Sequence, residues 1–259
     1  MPLQKKKSLG QHFLHSAHYL ALVADAAHLE AGECVLEIGP GEGTLTHELL
    51  ARGAWVTAVE KDHRLIELLQ EKFTQEISEG RFRLFEGDAL HFDISKYGES
   101  QRYKVVGNIP YYITGALLKK FLSAEHQPGT IVFLMQKEVA ERIARSTKES
   151  ILSLSIKAYG RPRYVKTIPR GAFSPPPRVD SGVLAIESIS RGNFADAAQE
   201  KRFFELVRAG FAQKRKLLKR NLEPVLGKSA SAAMQRVSIP EHARAEDVSL
   251  EKWFALAAF

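Results

Sequence analysis

Four stretches of this chain place polar or flexible residues at the end of an apolar run, and each combination suits a particular task. Glu37-Ile38-Gly39-Pro40-Gly41-Glu42-Gly43 closes the first run, and Glu60 closes the second, 21 residues after Gly39. Asp88 follows Gly87 after the third, and Asn108-Ile109-Pro110-Tyr111 follows Val105-Val106-Gly107. Glycines at such a junction let the backbone turn tightly and approach a ligand, and the free N–H groups of a helix start favour a carboxylate or phosphate. A carboxylate at Glu60 can accept hydrogen bonds from both hydroxyls of a ribose, and one at Asp88 can accept from the exocyclic amine of an adenine. Each signal alone is weak. Together they carry weight, because the carboxyl ends of a parallel sheet line one crevice.

Such residues need strands that run side by side, and the apolar pattern supplies them. Glu33 to Ile38 reads as a buried strand, Thr44 to Arg52 as a helix and Trp55 to Val59 as a strand. Leu65, Leu68, Leu69 and Phe73 recur at helical spacing, and strands are expected at Phe82 to Glu86, Lys104 to Gly107 and Thr130 to Met135, with a helix over Gly115 to Ser123. This alternation predicts an α/β domain with a mostly parallel sheet. Arg163 to Ile168 and Ser181 to Glu187 have strand character and are expected to extend the sheet antiparallel at one end. Beyond Arg191-Gly192-Asn193 everything reads as short helices broken at Pro224, Gly227 and Pro240. The expected organisation is a basic arm over 1–15, a ligand-binding α/β domain over 16–190 and a helical domain over 191–259.

Composition narrows the partners. The 259 residues, 44% of them hydrophobic, can build a core, and the longest strongly apolar run, Ile131-Val132-Phe133-Leu134-Met135, is far too short to span a membrane. No apolar segment backs the N-terminal lysines, so a cytoplasmic location is expected. No His/Cys cluster has metal-ligand spacing, and Cys34 reads as a buried structural thiol. The net charge of +7 is concentrated: five of the eight residues Gln213 to Arg220 are Lys214, Arg215, Lys216, Lys219 and Arg220, and Lys5-Lys6-Lys7 forms a second cluster. A nucleic-acid partner is the expectation.

A crevice with a glycine loop, a ribose acid and an adenine acid suits S-adenosylmethionine, an adenosine carrying an amino-acid-like group. A nicotinamide dinucleotide fits less well, because its G-x-G-x-x-G fingerprint needs glycine at 44, where this chain has Thr44. With Glu60, Gly87-Asp88-Ala89-Leu90 and Asn108-Ile109-Pro110-Tyr111 in this order, the chain resembles the class I methyltransferases that modify amino groups of nucleic-acid bases. The asparagine that opens the last motif makes it similar to the ribosomal RNA adenine N6-dimethyltransferases in particular.

The resemblance implies a Rossmann-like catalytic domain with a small helical C-terminal domain, and it assigns roles. Glu37, Gly39, Gly41, Glu60, Asp88 and Asn108 would hold S-adenosylmethionine. Lys7-Ser8-Leu9-Gly10-Gln11-His12-Phe13-Leu14 resembles an arm that folds over the cofactor, with His12 replacing the family's usual asparagine and Leu14 making a contact. Asn108 and the Ile109 carbonyl, pointed by Pro110, would accept hydrogen bonds from the target amine. Tyr111 would stack on the target adenine, with Phe173 of Phe173-Ser174-Pro175-Pro176-Pro177 on its other face. Lys214, Arg215, Lys216, Lys219 and Arg220 would bind RNA. The tail Arg244-Ala245-Glu246-Asp247-Val248-Ser249-Leu250-Glu251-Lys252-Trp253 resembles the branch acting on small-subunit ribosomal RNA, which implies dimethylation of two adjacent adenosines in its 3'-terminal hairpin and a role in ribosome assembly, while one active site implied per chain leads to the expectation of a monomer. The alternatives are the large-subunit, macrolide-resistance branch and a non-catalytic RNA-binding factor, which would show a damaged Asn-x-Pro-Tyr.

Overall fold

The computed structural model describes residues 11–94 and 102–258. Lys5 to Lys7 and the rest of the arm before Gln11 therefore lie outside the described residues. The chain divides into two compact units, one comprising the described residues up to Glu141 with Pro162–Ile189, the other Arg142–Arg161 with the described residues from Ser190 on. The segment 142–161, which the sequence reading leaves inside the α/β domain, thus groups with the helical unit.

The first unit is built on strands β1 (Phe13–Leu14), β2 (Cys34–Ile38), β3 (Trp55–Glu60), β4 (Phe82–Glu86), β5 (Tyr103–Asn108), β6 (Thr130–Gln136), β7 (Arg161–Ile168), β8 (Phe173–Ser174) and β9 (Ser181–Glu187). Seven form one sheet in the order β4-β3-β2-β5-β6-β9-β7, and β1 pairs with β8 apart from it. β2 through β6 are parallel and β9 is antiparallel to β6, as the alternation and the two late strand segments predict. Helix α1 (Ala17–Asp25) precedes β2, helices α2 (Thr44–Ala51), α3 (His63–Lys72), α4 (Thr74–Ser78) and α5 (Thr114–Ser123) fill the crossovers, and α6 (Lys137–Arg145) follows β6. Val35, Leu36, Val105, Val106 and Ile131 to Leu134 are fully buried because central parallel strands are covered on both faces. Cys34, at the start of β2, is half-buried, and burial pushes its thiol up.

The chain runs from β2 outward to β3 and β4, then crosses back to β5 and β6 on the other side of β2. That reversal leaves a crevice beyond the carboxyl ends of β2 and β5. The turn from β2 into α2 is made by Gly39, Gly41 and Gly43, all with φ between 59° and 73°. At Gly43 a Cβ would sit 2.5 Å from Phe73 Cε2 and 2.9 Å from Leu69 Cδ2, both buried side chains. Strain and overpacking then act together. Gly43→Ala is expected to lower stability by about 2–4 kcal/mol in urea unfolding.

The second unit is helical: α7 (Ile151–Tyr159), α8 (Ala197–Gly210), α9 (Leu218–Leu226), α10 (Ala230–Arg236) and α11 (Leu250–Ala257). Phe203, Leu206, Leu218, Leu222 and Trp253 are its buried centre, and Gly210 leaves room for the Trp253 ring. Gly227, at φ +58, ends α9 as expected, but Pro224 lies inside that helix instead of breaking it. One backbone hydrogen bond is forfeited in the last turn, and burial of Leu218, Asn221 and Leu222 holds the helix together.

Candidate active site

The crevice has a volume of about 560 Å³ and is lined from the ends of β2, β3, β4, β5 and β6 and from the arm. Its floor is the glycine turn. Gly39 leaves open space where a Cβ would stand, so a ligand can approach the backbone there. Glu37, at 1% exposure, lines the crevice from beneath: Thr46 Oγ1 donates to its Oε2 at 2.6 Å, and Oε1 has no hydrogen-bond partner. Burial pushes its pKa up to about 8. The folded protein therefore keeps a proton that the unfolded chain releases above the carboxylate value of 4.5, and stability falls as pH rises through the window from 4.5 to about 8. Glu37→Gln is expected to match the wild type in urea titrations at about pH 5 and to exceed it at about pH 9.

Glu60 ends β3 almost buried. Its Oε1 accepts from the N–H groups of Lys61 and Asp62, both at 2.8 Å, and its Oε2 accepts from Gly41 N–H at 3.1 Å. Burial raises its pKa against the pull of these three donors. Asp88 stands past the end of β4, with Oδ1 accepting from Leu90 N–H at 2.9 Å and Oδ2 from Lys61 Nζ at 2.8 Å. The Lys61 ammonium holds the Asp88 carboxyl below the usual range.

The arm is stitched over this end of the sheet by contacts that join distant parts of the chain. Gln11 Nε2 donates to Asp62 Oδ2 at 3.0 Å, and the Arg64 guanidinium, ahead of burial and Gln11, sets the Asp62 pKa at about 2. His12 Nδ1 lies 2.8 Å from the Pro175 carbonyl, which can only accept, so that nitrogen carries the proton. Phe13 and Leu14 pair antiparallel with Ser174 and Phe173, and Thr44 Oγ1 donates to the Leu14 carbonyl. Phe13 also covers Gly41, where a Cβ would meet its ring at 2.7 Å.

Asn108 is the last residue of β5. Its Nδ2 donates to the His12 carbonyl at 2.8 Å, which settles the amide orientation and leaves Oδ1 as the acceptor of a residue that lines the crevice. Pro110, at φ −58 and ψ 132, leads into a single 3-10 turn over Tyr111–Ile113. Tyr111 O–H and Ser181 Oγ share a hydrogen bond of 2.8 Å, and burial raises the phenol's pKa, so it stays protonated. Asn108, Ile109, Pro110 and Tyr111 all line the crevice, together with His12, Leu14, Glu37, Gly39, Gly41, Glu60 and Asp88.

Phe173 does not. At 4% exposure it is packed in the hydrophobic core with Leu14, its partner across the β1–β8 pair, and it does not line the crevice as the second stacking face expected from the sequence. Sequence reasoning also passed over Thr46, Ser181 and Lys61, which hold Glu37, Tyr111 and Asp88; no local pattern marks a partner that only the fold brings near. Among the described residues no group of His, Cys, Asp and Glu could hold a metal, and no helix is long and apolar enough to cross a membrane.

In the helical unit, Lys214, Arg215, Lys216 and Arg220 are exposed and Lys219 is half-buried. They straddle the start of α9. Asn221, buried beneath them, donates from Nδ2 to the carbonyls of Gly210 and of Gln213, the latter at 3.1 Å, and so ties the 211–217 turn to α9.

The family model described as ribosomal RNA adenine dimethylase matches residues 3–259. The chain belongs to this family. A relative from Dehalococcoides mccartyi, the ribosomal RNA small subunit methyltransferase A, is 41% identical over 256 residues, covering 97% of this chain and 87% of that one. Among solved structures, the 23S rRNA methyltransferase ErmE is similar with a TM-score of 0.78 and 27% identity, covering 95% of this chain and 98% of that chain. A dimethyladenosine transferase from Plasmodium falciparum, 23% identical and covering 95% and 96% of the two chains, shares the fold at a TM-score of 0.77. The sheet described above is accordingly the class I methyltransferase fold, carrying the family's C-terminal helices. The family's methyl donor, S-adenosylmethionine, fits the residues present: an open glycine turn, an unpartnered buried carboxylate oxygen and two further acids converge on one crevice.

Proposed function

We propose that this crevice methylates N6 of adenosine in ribosomal RNA, and that its substrate is two adjacent adenosines of the small-subunit RNA, each dimethylated. S-adenosylmethionine-dependent dimethylation of ribosomal RNA adenine is the activity of the family. The small-subunit assignment draws on the 41% identical relative and on the Arg244 to Trp253 tail. The observation that carries the chemistry is the Asn108 side chain, which lines the crevice and whose amide nitrogen is engaged by the His12 carbonyl, so that Oδ1 is the atom left to accept.

Glu60 would hold the cofactor's ribose and Asp88 its adenine, with His12, Leu14, Glu37, Gly39 and Gly41 around the remainder. The cofactor supplies a methyl group activated by its sulfonium. An adenine amine is a poor nucleophile because its lone pair is delocalised into the ring. Asn108 Oδ1, with the Ile109 carbonyl as second acceptor, favours the pyramidal amine in which that lone pair is free to attack. No strong base is needed, since the methylated ammonium is acidic and loses its proton to water afterwards. Tyr111, fixed by Ser181, offers a face worth roughly 1–3 kcal/mol of stacking to a base drawn out of its own stack. The basic segment around Lys216 would dock the RNA, and one crevice per chain suits a monomer.

The test gives the protein labelled S-adenosylmethionine with undermethylated small and large ribosomal subunits in parallel and maps the label by nuclease digestion and mass spectrometry. N6-dimethyladenosine at two adjacent small-subunit positions is the expected result. Label confined to the large subunit would overturn the branch, and no label on either, with cofactor bound, would overturn the enzymatic reading.

A further inference from the structure

Lys61 hydrogen-bonds the side-chain carboxylates of both acids of the proposed nucleoside site. Its backbone N–H donates to Glu60 Oε1 at 2.8 Å, and its ammonium donates to Asp88 Oδ2 at 2.8 Å. Its side chain is 58% exposed and lines the crevice rim, so the ion pair stands where a bound nucleoside would lie, not in the core. Exposed lysines usually stay solvated, and an isolated surface pair contributes little to folding. What this pair does is orient a carboxylate. With Leu90 N–H on Oδ1, Lys61 Nζ on Oδ2 and His91 Nδ1 farther off at 3.9 Å from Oδ2, Asp88 is held by hydrogen bonds at both oxygens, while each oxygen retains capacity to accept one more.

We propose that Lys61 is a positioning residue for cofactor recognition: it fixes the Asp88 carboxylate so that a 6-amino purine is accepted and a 6-oxo purine is refused. The inference rests on the assignment of Asp88 to the cofactor's adenine. An exocyclic amine would donate to the remaining acceptor capacity of Asp88. A carbonyl in the same place would face a carboxylate, and the nearby ammonium that could donate to it is already engaged by Asp88. The segment after Asp88 is separately secured, because Lys120 Nζ donates to the carbonyls of Ala89, Leu90 and Phe92. Loss of the Lys61 ammonium should therefore release Asp88 Oδ2 from its hydrogen bond, with Oδ1 still held by Leu90 N–H and the loop left in place.

The experiment measures dissociation constants by calorimetry for S-adenosylhomocysteine and its 6-oxo analogue, S-inosylhomocysteine, on wild type, Lys61→Met and Lys61→Arg, with thermal unfolding of each. Wild type is expected to prefer the amino compound. Lys61→Met should lower that preference about threefold to fivefold, and Lys61→Arg should restore it, all at unchanged melting temperature. A preference unchanged or increased in Lys61→Met would overturn the role of Lys61 alone. A wild type that binds both compounds equally would overturn the Asp88 assignment and the inference with it.

Discussion

Asn108→Ala is expected to slow methyl transfer by roughly 10²-fold in single turnover, the scale seen when one preorganised hydrogen-bonding group is removed from a reacting centre. The acceptor is lost where the amine must change geometry, so the deficit should fall on the chemical step, with S-adenosylhomocysteine affinity altered less than about tenfold. Asn108→Asp separates two causes. It keeps an oxygen toward the crevice but sets a second one against the His12 carbonyl, where two acceptors repel. That variant should also lose activity, and its arm should become more susceptible to proteolysis before Leu14. Wild-type turnover in Asn108→Ala would remove the residue from the mechanism.

The second large effect concerns RNA. If Lys214, Arg215, Lys216, Lys219 and Arg220 each meet a phosphate, together they set about −3.5 to −4.5 of the log–log slope of binding against salt. Replacing all five with alanine should remove that share and weaken binding by roughly 10²-fold or more at low salt, while S-adenosylhomocysteine binding stays as in wild type. Because the change is confined to exposed or half-buried side chains, and Asn221 still ties the turn from below, the melting temperature should hold. A slope unchanged by the five substitutions would return this segment to solvent.

The site was legible in the sequence to the extent that it sits at strand ends. Glu37 to Gly43, Glu60, Asp88 and Asn108 to Tyr111 all fall where a local apolar run stops, and a parallel sheet gathers such points into one crevice. What was not legible depends on partners remote in sequence. Phe173, ahead of Ser174 and three prolines, reads as a wall of the site, yet its side chain is packed in the core and does not line the crevice. Pro224 reads as a helix break, yet three buried neighbours outweigh one lost hydrogen bond. Residues 142–161 lie in the chain between the last parallel strand and the two late strand segments, and only their contacts group them with the helical unit.

By itself, then, the order of apolar runs, glycines and acids determined the α/β sheet and the crevice at its strand ends, because both follow from short-range periodicity and strand-end placement, whereas the chemistry proposed at its edge came from the resemblance that Asn108-Ile109-Pro110-Tyr111 carries. The tertiary structure alone decided how those residues are held. The Asn108 amide takes its direction from a carbonyl 96 positions away, Asp88 takes its orientation from Lys61 across 27, and Tyr111 is braced by Ser181 across 70. Hydrogen-bond partners of that separation leave no local pattern, since what brings them together is the burial of the sheet and not the residues themselves.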